Sequence, residues 1–393
     1  MSVREEQDQE FAIEEAFPSK SVRKSEILPK LFIAFFVQLV MIVGVSLITQ
    51  FGPVFVVRFF FGLDYFDFYV AAQDWLHHVD PYLRGRLYTP PSSILVGLLL
   101  EWLPFESARL IVFVLNVSLI YYSLRALARH FGLSRRNEFL LLGTAATFYP
   151  FYFLIERGNL DGIMLALLVF GFASRHWLVR SLLLGASMAV KVYSGLLFVV
   201  MLLRKRSWKV IGAGALVFAL MQIPFLPLVS SFLHAIGGRS GLFRIDENIS
   251  PAALIMLLFL GKGPWKIVFF GFWAATLIYR LLRDRGGNLT ETWPVYVPWM
   301  ISCPVVVYPY SGVLALALVA LVAAACQKRA PTNAEKTVLV GFGLLGFQAV
   351  AWTTYLYPLI HTAILLHVTC AVGTSCMIAG ACRLPLYGEK LPT

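Results

Sequence analysis

Charged residues are scarce in this chain, and their scarcity excludes an ordinary soluble protein. Only 14% of the 393 residues are Asp, Glu, Lys or Arg, whereas 59% are hydrophobic, and the mean hydropathy is +0.74. Apolar runs recur along the sequence, and about 20 apolar residues are what a helix needs to cross a bilayer. This composition predicts an all-α polytopic membrane protein.

Cysteine is scarce too, and none of the five cysteines lies in a polar loop, so the sequence indicates no disulfide framework. A cleavable signal peptide is not expected, because residues 1–29 are polar and the first apolar run, about 31–57, is too long for one. Internal repeats do not stand out, which argues against a typical secondary transporter.

Acidic residues are outnumbered by basic ones, and the formal net charge is +11. The basic residues stand at the ends of apolar runs, as cytoplasmic anchors do, so we expect membrane lipids and no nucleic acid as partners. The basic flank before the first run places the N terminus in the cytoplasm. The expected domains are a disordered cytoplasmic tail (1–29), a transmembrane domain (30–383) with an outer loop (58–105), and a cytoplasmic C-terminal tail (384–393).

Run lengths and flanking charges together predict about ten full spans and one re-entrant helix pair. The runs at about 92–103 and 251–261 are too short to span and are expected to form short helices on the outer face. The run 181–203 is basic at both ends, and a hairpin that turns near Lys191 keeps both ends in the cytoplasm. A lysine at that depth is costly and is a functional candidate, with a snorkelling or ion-paired structural lysine as the alternative.

This topology gathers acids, bases and aromatic residues on the outer face. Asp64 and Asp67 follow the first span three residues apart, so one helical turn places both on one face. Carboxylates beside cations suit a phosphate-bearing lipid and a sugar, because a carboxylate takes a hydroxyl proton while Arg or Lys holds the phosphate. A transporter or flippase of a lipid-linked sugar would use the same residues as a path, and a non-catalytic assembly subunit would tolerate the loss of Asp64.

The segment Asp64-Tyr-Phe-Asp-Phe-Tyr-Val-Ala-Ala72 resembles the Asp-Phe-x-x-Tyr-Tyr-x-Ala-Ala loop of a family of membrane glycosyltransferases. These are the polytopic enzymes of the GT-C superfamily, and the resemblance is greatest to the GT87 (DUF2029) group of polyprenol-phosphate-mannose-dependent mannosyltransferase-like proteins. Asp-Pro-Tyr at 80–82 and Tyr-x-Pro-Pro at 88–91 resemble the next elements of the group, in the same order.

Later segments continue this resemblance, which covers roughly residues 30–310. Arg157-Gly-Asn159 resembles the Gly-Gln-x-Asn step of the group. The stretch from Gly185 to Lys191 resembles its Gly…Lys-x-x-Pro segment, although Ser194 stands where proline is usual. Residues 302–304 of this chain resemble the later Leu-Ser-Pro element of the group, although the histidine that is often near that element is missing here.

The resemblance implies inverting transfer of a hexose, with mannose the expected sugar, from a polyprenyl phosphate to a lipid or glycan acceptor. It also implies that the transmembrane domain, 30–383, is GT-C-like and that its outer loop, 58–105, is catalytic. The expected place is the outer face of a bacterial inner membrane. Asp64 is the expected general base and Asp67 the alternative. No cofactor or metal ligand is assigned, and a divalent metal is left open.

Replacing Lys191 with Met is expected to weaken donor binding at an unchanged melting temperature. The expected donor-phosphate ligands are Lys191, Arg157 and Arg244, and the expected substrate contacts are Tyr69, Asp80, Tyr82, Tyr88, Glu156 and Asn159.

Overall fold

Helices joined by turns make up all of the described chain, which confirms the all-α prediction. The computed structural model describes residues 27–48, 63–84, 89–204, 207–239, 251–258, 263–284, 289–302, 309–346 and 360–385, and these ranges contain no strand. Most of the expected N-terminal tail and most of the expected C-terminal tail lie outside them. The helices are α1 (Ile27–Ile48), α2 (Leu63–Leu76), α3 (Ile94–Leu98), α4 (Phe105–His130), α5 (Arg135–Ala146), α6 (Tyr149–Arg157), α7 (Asp161–Ala173), α8 (Trp177–Val190), α9 (Leu196–Leu203), α10 (Trp208–Gln222), α11 (Val229–Arg239), α12 (Pro251–Leu258), α13 (Trp265–Arg283), α14 (Leu289–Thr292), α15 (Val297–Ser302), α16 (Ala315–Lys328), α17 (Asn333–Gly346) and α18 (Ile360–Arg383).

Four segments of the described chain are long and apolar enough to cross a membrane. They are α4, α10 with its continuation to Ala235, α13, and α16 with the turn before it. A fifth results if α5 and α6, which are bent by 58° where they meet, count as one broken span. The predicted count of about ten spans is therefore not confirmed. Several predicted spans are shorter helices, such as α5 with 12 residues and α7 with 13, and others run into residues outside the described ranges.

The two runs that were predicted to be too short for a span are indeed short helices. The first forms a 3-10 turn, Pro91–Ser93, followed by the five residues of α3. Pro104 then stands immediately before α4, where its fixed φ suits a helix start. The second run begins as α12, which has eight residues. Their expected position on the outer face stays a prediction.

The run 181–203 is broken at Lys191, as its charge pattern indicated. α8 ends at Val190, Lys191 is extended with φ −149° and ψ 119°, and one 3-10 turn, Val192–Gly195, leads into α9. A break inside an apolar segment leaves backbone groups without helical partners. The Ser194 hydroxyl donates to the carbonyl of Lys191 at 3.0 Å, so a side chain satisfies one of them.

The chain also reverses its direction at this break. Gly185 of α8 lies against the carbonyl of Gly214 of α10, and Ser92 bridges the ends of the two helices by donating to the carbonyl of Ala189 and accepting from Gln222. α8 and α10 therefore run in parallel, and α9, which connects them, returns toward the start of α8.

Contacts at the far end agree with this reversal. Arg180 stands in the first turn of α8, beside the end of α7. Phe172, also at that end of α7, stacks on Trp293 with ring centroids 5.2 Å apart. Arg204, which follows α9, donates to the hydroxyl of Thr292 at 3.3 Å, and Thr292 directly precedes Trp293. The basic residues that flank the run thus lie at one end of the helix bundle, which supports a re-entrant pair.

We expect Arg175→Cys and Lys209→Cys to react with a membrane-impermeant thiol reagent from the cytoplasm only, because both side chains are exposed at the same end of the bundle. The measurement is labelling of intact cells against inverted vesicles, in a chain whose native cysteines are replaced. Gln73→Cys, exposed on α2, is the control that should react from the outside. Reaction of Arg175→Cys and Lys209→Cys from opposite sides would establish a single crossing and overturn the re-entrant pair.

Candidate active site

Close packing fixes the helix that carries Asp64. Asp64 lies in the first turn of α2, where the helix dipole favours a carboxylate. The adjacent Tyr65 is fully buried and stacks on Phe105, and the Tyr69 hydroxyl donates to the carbonyl of Leu103 at 2.8 Å. α3 approaches the backbone of α2 so closely at Gly97 that a Cβ there would lie 2.2 Å from the carbonyl oxygen of Phe68. These contacts leave α2 little freedom to turn.

The junction between α6 and α7 presents an amide to Asp64. Gly158 ends α6 in the left-handed region, with φ 63°, which glycine adopts at low cost. Asn159 follows, and its Oδ1 accepts the backbone N–H of Leu160 at 2.7 Å. Its Nδ2 donates to Oδ2 of Asp64 at 2.6 Å. The turn therefore fixes the amide, and the amide fixes the carboxylate.

A guanidinium lies on the other side of the same carboxylate. Nη1 of Arg157 is 3.6 Å from Oδ1 of Asp64, and the guanidinium also lies over the ring of Phe153, 5.0 Å from its centroid. Burial raises the pKa of Asp64, whereas Arg157, the hydrogen bond from Asn159 and the more distant Lys191 each oppose that rise; the net pKa stays above the usual aspartate value. A carboxylate of raised pKa is a stronger base than an ordinary one, as a proton acceptor needs to be.

A second carboxylate lies buried beside this pair. Asp161, the first residue of α7, is fully buried, and its Oδ2 accepts from Nζ of Lys191 at 2.8 Å and from Oγ of Ser311 at 3.2 Å. The Tyr193 hydroxyl donates to its other oxygen. The structure therefore shows the ion-paired form of Lys191 that the sequence left as an alternative. Lys191 is therefore already paired with Asp161 before any phosphate approaches it.

The predicted site residues are only partly brought together. Arg157 and Asn159 contact Asp64, and Lys191 lies in the adjoining pair. Asp67 lies one turn further along α2 and is partly buried.

Three predicted substrate contacts make hydrogen bonds within the local fold, and their contact with a substrate stays a prediction. The Tyr69 hydroxyl is bound to the backbone after α3. Asp80 accepts the backbone N–H of Tyr82 at 2.9 Å, and the Tyr82 hydroxyl donates to the carbonyl of Thr89 at 2.7 Å. Aromatic and acidic residues of a loop motif stabilise such turns as readily as they bind a ligand. Tyr88, Arg244 and the side chain of Glu156 lie outside the part of the chain that the structure describes.

Sequence reasoning omitted Asp161, Tyr193 and Ser311 from the site. Asp161 follows the Arg-Gly-Asn element by two residues, and Tyr193 follows Lys191 by two, so motif proximity was an available signal for both. Ser311 is 150 residues from Asp161, and nothing in its neighbourhood marks it. Among the described residues, no group of three or more His, Cys, Asp or Glu side chains is arranged to hold a metal ion.

Comparison with protein families identifies the chain. The model of glycosyltransferase family 87 matches residues 87–349, about two thirds of the sequence. The match begins after α2, so it includes Arg157, Asn159, Asp161 and Lys191 but not Asp64. A comparison with curated proteins gives no match. A glycosyltransferase implies a sugar donor and an acceptor, and the apolar helices indicate an integral membrane protein. The chain therefore belongs to glycosyltransferase family 87.

Proposed function

We propose that this glycosyltransferase moves a hexose, with mannose the expected sugar, from a polyprenyl phosphate to a hydroxyl of a lipid or glycan acceptor on the outer face of the membrane. Asp64 is the general base and the anomeric configuration is inverted. One observation carries the choice of Asp64 over the buried Asp161. The side chain of Asp64 is 24% exposed, whereas that of Asp161 is fully buried, so of these two carboxylates only Asp64 has access to a substrate.

The chemistry follows from that access. Asp64 takes the proton of the acceptor hydroxyl while the hydroxyl oxygen forms a bond to the anomeric carbon. The bond from the anomeric carbon to the phosphate oxygen breaks, and polyprenyl phosphate leaves with one more negative charge than the donor had. Arg157, with a third of its side chain exposed, is the cation placed to meet that charge, and Lys191 adds a positive field from behind.

The expected orientation of the site supports a lipid-linked donor. Asp64 follows the first apolar run of a chain whose N terminus is expected in the cytoplasm, so the site is expected outside. Nucleotide sugars are confined to the cytoplasm, whereas a polyprenyl phosphate carries its sugar within the membrane. The buried charges of the site also suit a donor that arrives from the bilayer and excludes water.

Purified protein is expected to convert a radiolabelled polyprenyl-phosphate mannose, supplied with a lipid extract, into a new labelled product. A nucleotide sugar offered in place of the lipid donor should give none, and polyprenyl-phosphate glucose tests the choice of hexose. Transfer from the nucleotide sugar alone would contradict the lipid-linked donor. Movement of the labelled donor across a liposome membrane without its consumption would instead identify a transporter or flippase.

A further inference from the structure

Asp161 joins three parts of the fold at one buried carboxylate. It begins α7, Lys191 and Tyr193 come from the break after α8, and Ser311 comes from the 3-10 turn Pro309–Leu314. The side chains of Lys191, Tyr193 and Ser311 each donate a hydrogen bond to Asp161. Because its own side chain is fully buried, Asp161 cannot touch a substrate, and its effect on the reaction passes through these partners and through its own charge.

The pair between Asp161 and Lys191 is held by electrostatics as well as by packing. The Lys191 side chain is only 8% exposed, and its ammonium also lies 5.8 Å from the centroid of the Tyr193 ring. A buried charge is costly unless it is paired, so the ammonium stays beside the carboxylate. The position of Asp161 therefore decides the position of Lys191.

The same carboxylate is tied to Asp64 through a short stretch of chain. Arg157 and Asn159 contact Asp64, and Asp161 lies two residues beyond Asn159. The charges of Lys191 and Asp161 both reach Asp64: Lys191 lowers its pKa, and Asp161 raises it. A displacement of Asp161 would thus alter both the geometry and the electrostatics of the base.

We propose that Asp161 is a positioning residue of the transferase, which holds Lys191 as a fixed cation behind the Asp64–Arg157 pair, where the charge of the leaving phosphate develops. The inference rests on the proposed function, since it needs a phosphate leaving group. Tyr193 and Ser311 add one hydrogen bond to each oxygen of the same carboxylate. A cation fixed in advance stabilises developing charge without reorganising during the reaction.

The test is Asp161→Asn in the full-length protein, assayed with polyprenyl-phosphate mannose. This variant keeps the side-chain shape but leaves the Lys191 ammonium without its counter-charge. We expect kcat/KM for the donor to fall roughly 10- to 100-fold, as small misplacements of site groups do. Removing a negative neighbour should lower the pKa of Asp64, so the acid limb of the kcat/KM profile should move to lower pH.

The double variant Asp161→Asn/Lys191→Met separates positioning from stability. It removes both buried charges, so we expect its melting temperature to recover toward the wild-type value while kcat/KM stays low. Glu335→Gln is the matched control, because Glu335 is a buried carboxylate paired with Arg329 at 2.6 Å on another part of the chain. It should lower the melting temperature and leave kcat/KM for the donor and its pH profile unchanged.

A wild-type kcat/KM for the donor and an unmoved acid limb in folded Asp161→Asn would overturn the inference. Recovery of kcat/KM together with melting temperature in the double variant would also overturn it, since the pair would then serve the fold alone. Asp64→Asn, assayed in parallel, tests the proposed function separately. An active Asp64→Asn variant refutes the carboxylate base, whatever Asp161→Asn does, whereas an inactive one beside a fully active Asp161→Asn refutes only the present inference.

Discussion

Asp64→Asn is expected to lower the rate of sugar transfer by about 100- to 10,000-fold, the usual contribution of a general base. The asparagine side chain has nearly the same shape and still accepts a hydrogen bond from the Asn159 amide, so the fold should survive. It cannot take the proton of the acceptor hydroxyl at neutral pH. The measurement is product formation from labelled polyprenyl-phosphate mannose, with the melting temperature measured on the same preparation.

Asp67→Asn is the matched control for this prediction, because it makes the same change one turn along α2. It should retain most of the activity. An inactive Asp67→Asn beside an active Asp64→Asn would exchange the two roles, and full activity in both variants would refute the carboxylate mechanism.

The pH dependence of the wild-type protein gives a further check on Asp64. A general base works only when it is deprotonated, and the pKa of Asp64 is raised by its burial. The acid limb of kcat/KM should therefore lie above the pH at which an ordinary aspartate titrates, with activity lost as pH falls through the raised value. Arg157→Gln removes the cation that most opposes this rise, so it should move the limb to still higher pH.

Lys191→Met is expected to destabilise the protein by about 3–5 kcal/mol, the cost of leaving one partner of a buried ion pair without the other. The sequence alone predicted an unchanged melting temperature, which assumed that the ammonium pointed into a cavity. The structure shows instead that it is 2.8 Å from Oδ2 of the fully buried Asp161. Removing the ammonium leaves that carboxylate with two hydroxyl donors and no counter-charge.

Thermal unfolding in detergent measures this effect, and Arg109→Met is the matched control. Arg109 pairs with Glu106 at the surface, where the glutamate is 68% exposed, so its loss should cost less than about 1 kcal/mol. An Lys191→Met variant that melts like the wild-type protein would contradict a buried, charge-compensated pair.

The sequence predicts those parts of the site whose residues are close together in the chain, or whose placement inside an apolar run would be energetically costly without a specific role. A lysine in the middle of an apolar run is costly, and the break at Lys191 is where the flanking charges placed it. The motif around Asn159 likewise led to a residue that contacts Asp64. The local partner of a side chain is not predicted in this way: the hydroxyl of Tyr69 donates to the carbonyl of Leu103, and its expected contact with a substrate stays a prediction.

Other features depend on tertiary contacts that no local pattern reports. Ser311 reaches Asp161 across 150 residues; its Pro-Tyr-Ser-Gly sequence indicates a turn but not the partner of that turn. The number of spans depends on where apolar runs break, and hydropathy does not show whether such a break bends the chain, as between α5 and α6, or continues it. Gly97 is another example, because its need for close approach to α2 becomes visible only when the two helices are in contact.

The spacing of the site contacts along the chain has a consequence for biogenesis. Asp161, which begins α7, and Lys191, which directly follows α8, are 30 residues apart, whereas Asp64 and Asn159 are 95 apart and Asp161 and Ser311 are 150 apart. Because synthesis proceeds from the N terminus, the α7–α8 hairpin can neutralise its two charges before the rest of the bundle exists. The ion pair can thus enter the bilayer as a neutral unit, and its last ligand arrives only after more than a hundred further residues have been made.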